Sequence, residues 1–270
     1  MCLGILINQN RQINIYRLWE AYNANPDGCG IMTIWNDRLF VLKGCWDWKI
    51  FSKAYNLVKN SFAEHIIVHF RTASNKGIAQ QFCHPHFINP DLAFVHNGNF
   101  FEFSSYFGNG RSITDTRTDT QRFNEEVLQK LPDNFLYLGH IKTALEKYCK
   151  NNMSKMIFMN SNGMVWIINE DAGEWQDGCW FSNKGMSNYA GYGYSGAYYY
   201  DGNPARFKGG LPTVQMFPEK IRKHWWRCPE CLGWYPASEQ YIDLCEGCRL
   251  LYELKYYCEK EGRGQYLEKS

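Results

Sequence analysis

The chain has 270 residues, enough for one large domain with a small appendage, and its 17% aromatic content supplies material for a core. A formal net charge of +2 excludes a global field that would draw the chain to nucleic acid or to a membrane surface. No run reaches the roughly 18 to 20 apolar residues of a membrane span and no basic, apolar leader opens the chain, so a cytoplasmic protein without a membrane partner is expected.

The first strand is expected at residues 2 to 7, where Cys2 leads Leu3-Gly4-Ile5-Leu6-Ile7. If Met1 is removed, Cys2 carries a thiol and a free α-amine on one residue. With unperturbed pKa values of about 8.5 and about 7.7 to 8, the amine can take the thiol's proton directly or through one water. Alone, a cysteine is more often a small hydrophobe. Further strands are expected near 29 to 35, 38 to 43, 65 to 71, 92 to 97, 155 to 160 and 164 to 168. Hairpin turns fall at Asn36-Asp37 and Asn162-Gly163. Helices fit 11 to 23, 47 to 60, 119 to 130 and 136 to 150, with Asp47 able to cap the second and Thr118 or Asp119 the third. The pattern predicts a mixed, mainly antiparallel α+β domain over residues 2 to 182.

Three stretches in that domain could serve Cys2. His69-Phe70-Arg71-Thr72-Ala73-Ser74 ends an apolar run, which puts Arg71 near a strand terminus where it could grip a carboxylate bidentately. In Phe94-Val95-His96-Asn97-Gly98-Asn99-Phe100, Asn97-Gly98 reads either as an ordinary turn or as an oxyanion hole made by the Asn97 amide and the Gly98 N–H. In Thr118-Asp119-Thr120-Gln121, Asp119 stands at a helix start, with an ordinary cap as the bland alternative.

After residue 182 the rhythm changes. Residues 183 to 217 are rich in Gly and Tyr and read as a linker or loop, an aromatic ladder for bases being the weaker alternative. Residues 218 to 270 hold two tandem knuckles, Cys228-Pro229-Glu230-Cys231 and Cys245-Glu246-Gly247-Cys248, which place four thiolates for one tetrahedral Zn2+. Four cysteine ligands leave no open position, so that zinc would be structural, in a small ribbon followed by a helix near 250 to 261.

Cys2 together with His69 to Ser74, His84-Pro85-His86-Phe87 and His96-Asn97-Gly98-Asn99, in that order, resembles the class II, or N-terminal nucleophile, glutamine amidotransferases over residues 2 to 182. Asn25-Pro26-Asp27-Gly28-Cys29-Gly30 is similar to that family's early Asp and Gly segment. The resemblance implies an Ntn-hydrolase-like four-layer αββα sandwich and a set of roles. Cys2 would be the nucleophile, Asn97 and Gly98 the oxyanion hole, Arg71 the partner of the glutamine α-carboxylate and Asp119 that of its α-amine. Glutamine would be hydrolysed through a γ-glutamyl thioester, with ammonia passing to a separate synthase. Two departures stand out: Gln121 replaces the family's acid, and His86 is added to the His-Pro loop, where Cys83 and His84 raise a metal site as an alternative to a pocket wall. The competing reading is a non-catalytic binding module whose ribbon contacts protein or nucleic acid through Lys220, Arg222, Lys223 and Arg227 beside Trp225 and Trp226.

Overall fold

Short apolar and β-branched runs, buried on both faces, build two antiparallel sheets in the computed structural model. It describes residues 2–8, 11, 13–35, 37–45, 47–60, 64–73, 77–104 and 115–184, with the short strands 213–215, 225–227 and 234–236. The first sheet takes β1 (Leu3–Asn8), β2 (Cys29–Trp35), β3 (Arg38–Gly44), β4 (His65–Phe70), β9 (Glu174–Gln176), β10 (Cys179–Phe181) and β11 (Thr213–Gln215) in the order β11-β3-β2-β4-β1-β10-β9. The second takes β5 (His86–Asn89), β6 (Leu92–Asn97), β7 (Lys155–Asn160) and β8 (Val165–Ile168) in sequence order. A further pair, β12 (Trp225–Arg227) and β13 (Trp234–Pro236), forms a sheet of its own.

Three apolar clusters separate four layers. Helices α1 (Ile15–Ala24) and α2 (Trp48–Lys59) cover the outer face of the first sheet, where Phe51, Ala54, Tyr55 and Val58 of α2 follow helical spacing and meet Leu3, Ile5 and Phe70. Between the sheets lie Leu6, Met32, Leu39, Val41 and Ile67 of the first and Phe87, Ala93, Val95, Ile157 and Met159 of the second. On the far side, α3 (Asp119–Glu126) and α4 (Gly139–Asn151) close over Phe94, Met156 and Phe158 with Phe123, Leu145 and Cys149.

All seven expected strands are present with ends within a residue or so. Six further strands are not expected from the sequence: β5, β9, β10, β11, β12 and β13 have only three or four residues, which leaves little pattern to read. Helix α1 begins later than residue 11 because the Asn14 side chain accepts the Tyr16 N–H at 2.9 Å and sets the start there. Asp47 caps α2 through the Ile50 N–H at 3.0 Å, as expected. Thr118, not Asp119, caps α3, which ends at Glu126; Leu128–Lys130 is a separate single turn. Helix α4 starts at Gly139 after the turn Phe135–Tyr137.

Cys228, Cys231, Cys245 and Cys248 lie outside the described residues, as do most of the Gly/Tyr-rich stretch and the helix expected at 250 to 261. Within residues 183 to 217, Thr213–Gln215 pairs with Val41–Lys43 of β3. Among the described residues no helix is long and apolar enough to cross a membrane.

Candidate functional site

The inter-sheet face changes character along each strand. On β1 the positions two apart run Leu6, Gly4, Cys2; on β4, Ile67, His69, Arg71; on β6, Ala93, Val95, Asn97. Pairing of Leu3 with Phe70 puts Cys2 beside Arg71, and pairing of Cys29 with Phe70 puts Gly28 on the other side of Arg71. Gly4 faces the second sheet, where a Cβ would lie in ordinary contact with Ile157 and Val95 at 3.4 and 3.5 Å. At the end of the layer the strands open into a cleft of about 210 Å³ lined by Cys2, Arg71, Asn97, Gly98, Asp119 and His84, among others. The five residues expected to hold and cleave an amide, drawn from four separate segments, thus share one cleft.

Cys2 is half-buried, with its Sγ 3.6 Å from the Thr72 carbonyl oxygen. Burial pushes its thiol above the usual range, against the pull of the Arg71 guanidinium. A base close to the sulfur is therefore needed to populate a thiolate near neutral pH.

Arg71 is 4% exposed. Its main-chain N–H donates to Gly28 O at 2.7 Å and its carbonyl accepts the Asp27 N–H at 2.9 Å, while the Asp27 carboxylate accepts the Ala73 N–H at 2.7 Å. The segment Asn25–Gly30 therefore fixes the backbone on both sides of Arg71. In the side chain, Nη2 donates to Gly77 O at 3.0 Å and the guanidinium lies over the Phe82 ring, but the buried Nη1 has no partner among the described residues. A buried guanidinium with an open donor at a cleft wall is matched to a carboxylate.

Asp119 opens α3, its carboxylate accepting the Phe100 N–H at 2.7 Å. Burial raises its carboxyl above the usual range, opposed by the N–H groups of Phe100, Thr120 and Asp119 itself. The helix start is held by a full capping box: Thr118 Oγ1 accepts the Gln121 N–H at 3.1 Å and Gln121 Oε1 accepts the Thr118 N–H at 2.9 Å. Gln121 also donates its Nε2 to Gln81 O at 3.1 Å, joining α3 to the opposite wall. A glutamate could close the box but could not make that last bond, which is a physical reason for the amide at this position.

Gly98 has φ +143°, and a Cβ there would fall 2.7 Å from the Ser154 Cα, so only glycine fits. Asn97 shows what the sequence missed. Its Nδ2 donates to Ser182 Oγ and to Asn183 Oδ1, both at 2.7 Å, while its buried Oδ1 has no partner among the described residues. Ser182 Oγ also accepts the Gly4 N–H at 2.8 Å, and Asn183 Nδ2 donates to Cys2 O at 3.0 Å. Ser182 and Asn183 thereby tie Cys2 and β1 to Asn97. No local signal marks them, because the contact spans some 180 positions of sequence and depends on β10 lying beside β1.

The His-Pro loop forms part of the cleft wall, with Phe82 and His84 lining it. Behind it His69, His84, His86 and His96 cluster, with ring centroids 4.3 Å apart for His69 and His84 and 4.7 Å for His84 and His86. Nδ1 of His84 accepts the His96 N–H at 3.2 Å, and Lys43 Nζ lies 3.4 Å from His86 Nδ1. Burial holds His69 and His96 down at about 3 and lowers Lys43 to about 8. Neutral imidazoles packed on one another are a hydrogen-bonded wall, and among the described residues no group of His, Cys, Asp or Glu is arranged to hold a metal.

No protein-family model matches the chain, and no curated protein matches it. Two solved structures are similar to it at 17% identity, each over 67% of this chain: one described as the allosteric regulatory enzyme of purine biosynthesis, with a TM-score of 0.39, and the glutamine phosphoribosylpyrophosphate amidotransferase from B. subtilis complexed with ADP and GMP, with a TM-score of 0.35. The match takes in 41% of the length of each of those chains.

Proposed function

We propose that the chain is a class II glutamine amidotransferase of the Ntn-hydrolase type, releasing ammonia from glutamine through a Cys2 γ-glutamyl thioester. The observation that carries this reading is the single cleft shared by Cys2, Arg71, Asn97, Gly98 and Asp119. A free amino acid is a zwitterion: Arg71 takes its α-carboxylate through the open Nη1, and Asp119 takes its α-amine, which leaves the side-chain amide to reach the Cys2 sulfur. After removal of Met1, the Cys2 α-amine accepts the thiol proton and Sγ attacks the amide carbon. The developing oxyanion is met by the Gly98 N–H and by one N–H of Asn97, which turns to it from Asn183. The amine returns the proton to departing ammonia, and water, deprotonated by the same amine, hydrolyses the thioester to glutamate.

Zinc and partner belong to the same proposal. The tandem knuckle spacing supports a structural zinc on Cys228, Cys231, Cys245 and Cys248. A separate synthase as the ammonia acceptor is part of the same proposal.

The test incubates the purified chain with glutamine and, separately, with a glutamine-mimicking electrophile. Glutamate release, added mass on an N-terminal Cys2, and loss of both in Cys2→Ala are expected. A folded protein that keeps Met1 and still turns over glutamine, or that shows neither turnover nor adduct, would sink the mechanism.

A further inference from the structure

The row that carries Cys2 continues across the sheet to two thiols for which the amide chemistry has no use. Pairing of Cys29 with Gly44 and with Phe70 sets Cys45, Gly28 and Arg71 side by side on β3, β2 and β4, next to Cys2 on β1. Gly28, at φ +156°, has no side chain, and Cys83 fills its place: a Cβ on Gly28 would fall 2.5 Å from Cys83 Sγ and 3.7 Å from Arg71 Cβ. Cys83 thus sits between Arg71 and Cys45, its Sγ 3.7 Å from Cys45 Sγ. A disulfide needs about 2.0 Å, so an approach of about 1.7 Å joins them. Both are free thiols in the structure.

We propose that Cys45 and Cys83 form a peroxide-responsive dithiol site, whose disulfide form displaces the cleft-wall loop at Phe82 to His84.

The surroundings favour a reactive sulfur at Cys45. The Arg71 guanidinium acts on both sulfurs, opposed at Cys45 by burial and by the Asp27 carboxylate, and Lys43 acts on Cys83. The sulfur–sulfur contact, in which either thiol can be the donor, holds the Cys45 thiol below the usual range and raises that of Cys83, while the Cys83 Sγ also lies 3.7 Å from the Ala79 carbonyl oxygen. Cys45, at 6% exposed, and Cys83, fully buried, are both core residues, so only an oxidant as small as hydrogen peroxide suits the pair. The Cys45 thiolate attacks one peroxide oxygen; the S–O bond forms, the O–O bond breaks and hydroxide leaves. The Cys83 sulfur then attacks the Cys45 sulfenic sulfur, the S–S bond forms, the S–O bond breaks, and the Cys83 proton leaves with the hydroxyl as water. The two thiols lose two electrons and the peroxide gains them, giving two waters.

Movement of Cys83 towards Cys45 carries the loop with it. Phe82 and His84 flank Cys83, line the cleft, and in the case of Phe82 lie under the Arg71 guanidinium. The sulfur also withdraws from the Gly28 slot, beside the backbone that anchors Arg71.

The test uses the full chain as Cys2→Ala, so that the cleft thiol cannot compete and the outcome is independent of the amide chemistry. Reduced protein is treated with hydrogen peroxide, alkylated and digested without reductant. The expected result is a Cys45–Cys83 linked peptide as the main cross-link, a protein lighter by two hydrogens, reversal by dithiothreitol, and altered amide hydrogen exchange over residues 79 to 86. Cys45→Ser on the same background should abolish the link; Cys83→Ala serves if that variant does not fold. Recovery of Cys45 and Cys83 as alkylated thiols after oxidation of the folded protein would overturn the site. So would pairing of Cys45 with another cysteine. Unchanged exchange over 79 to 86 in the linked form would overturn the coupling to the cleft wall.

Discussion

The layer between the two sheets has two ends that share one backbone pattern and differ in almost everything else. At one end Leu6, Ile67, Val41 and Ala93 interdigitate with Ile157 and Met159, and at the other the same alternating positions carry Cys2, Arg71, Lys43 and Asn97. Burying an aliphatic side chain contributes about 1.5 to 3 kcal/mol, whereas a buried polar group without a partner costs about 1 to 3 kcal/mol. The apolar end therefore supports the open donors and acceptors at the cleft, Arg71 Nη1 and Asn97 Oδ1 among them. The strands make this division possible because they keep their hydrogen bonds to the cleft edge, so that rigidity made at one end is delivered to the other.

If the two ends divide labour in this way, substitutions should separate stability from chemistry. The largest effect is expected from Ile67→Ala, which removes a fully buried side chain and should cost about 2 to 5 kcal/mol in urea unfolding. Labelling of Cys2 by a glutamine mimic should persist well below the new melting point. Loss of labelling at full folding would show that the ends are not separable.

Asn97→Ala makes the opposite cut. Steady-state assays should show kcat lowered by about 10² to 10³ if its amide serves the oxyanion. An unchanged kcat would confine Asn97 to its structural bonds with Ser182 and Asn183.

The histidine wall sharpens the comparison through pH. His69 and His96 are held at about 3 in the fold, against about 6.5 in an unfolded chain, so between those values the unfolded state binds more protons and stability falls as pH falls. The unfolding free energy from urea titrations should drop by about 2 kcal/mol between pH 6.5 and 5.5, when both sites are counted. A flat profile there would mean that the wall already carries charge.

The smallest effect is expected from Ser182→Ala. It leaves the Gly4 N–H and one Asn97 N–H without their acceptor, at about 1 kcal/mol each, and should slow Cys2 labelling less than Asn97→Ala does. Equal slowing by the two would make Ser182 as important to the chemistry as Asn97.

Much of this was legible because strand alternation and turn chemistry are local. Seven strands follow from short apolar, β-branched or aromatic runs, Asp37 takes the positive φ that the β2–β3 turn requires, and the Asp47 cap is written in four residues. Cys2, Arg71, Asn97, Gly98 and Asp119 could be singled out by residue type and order. Their meeting in one cleft could not, since it needs the register of β1 on β4 and the closure of the second sheet over the first. Gln121 read as a lost acid until its amide was seen to bridge to Gln81. Ser182, Asn183, the packing of the four histidines on one another and the Cys45–Cys83 contact had no sequence signature. Each is a relation between segments far apart in the chain, set by packing rather than by neighbours in sequence. The sequence alone determined which side chains face the layer between the sheets; only the tertiary structure decided which of them meet, because register and sheet closure are properties of the whole fold.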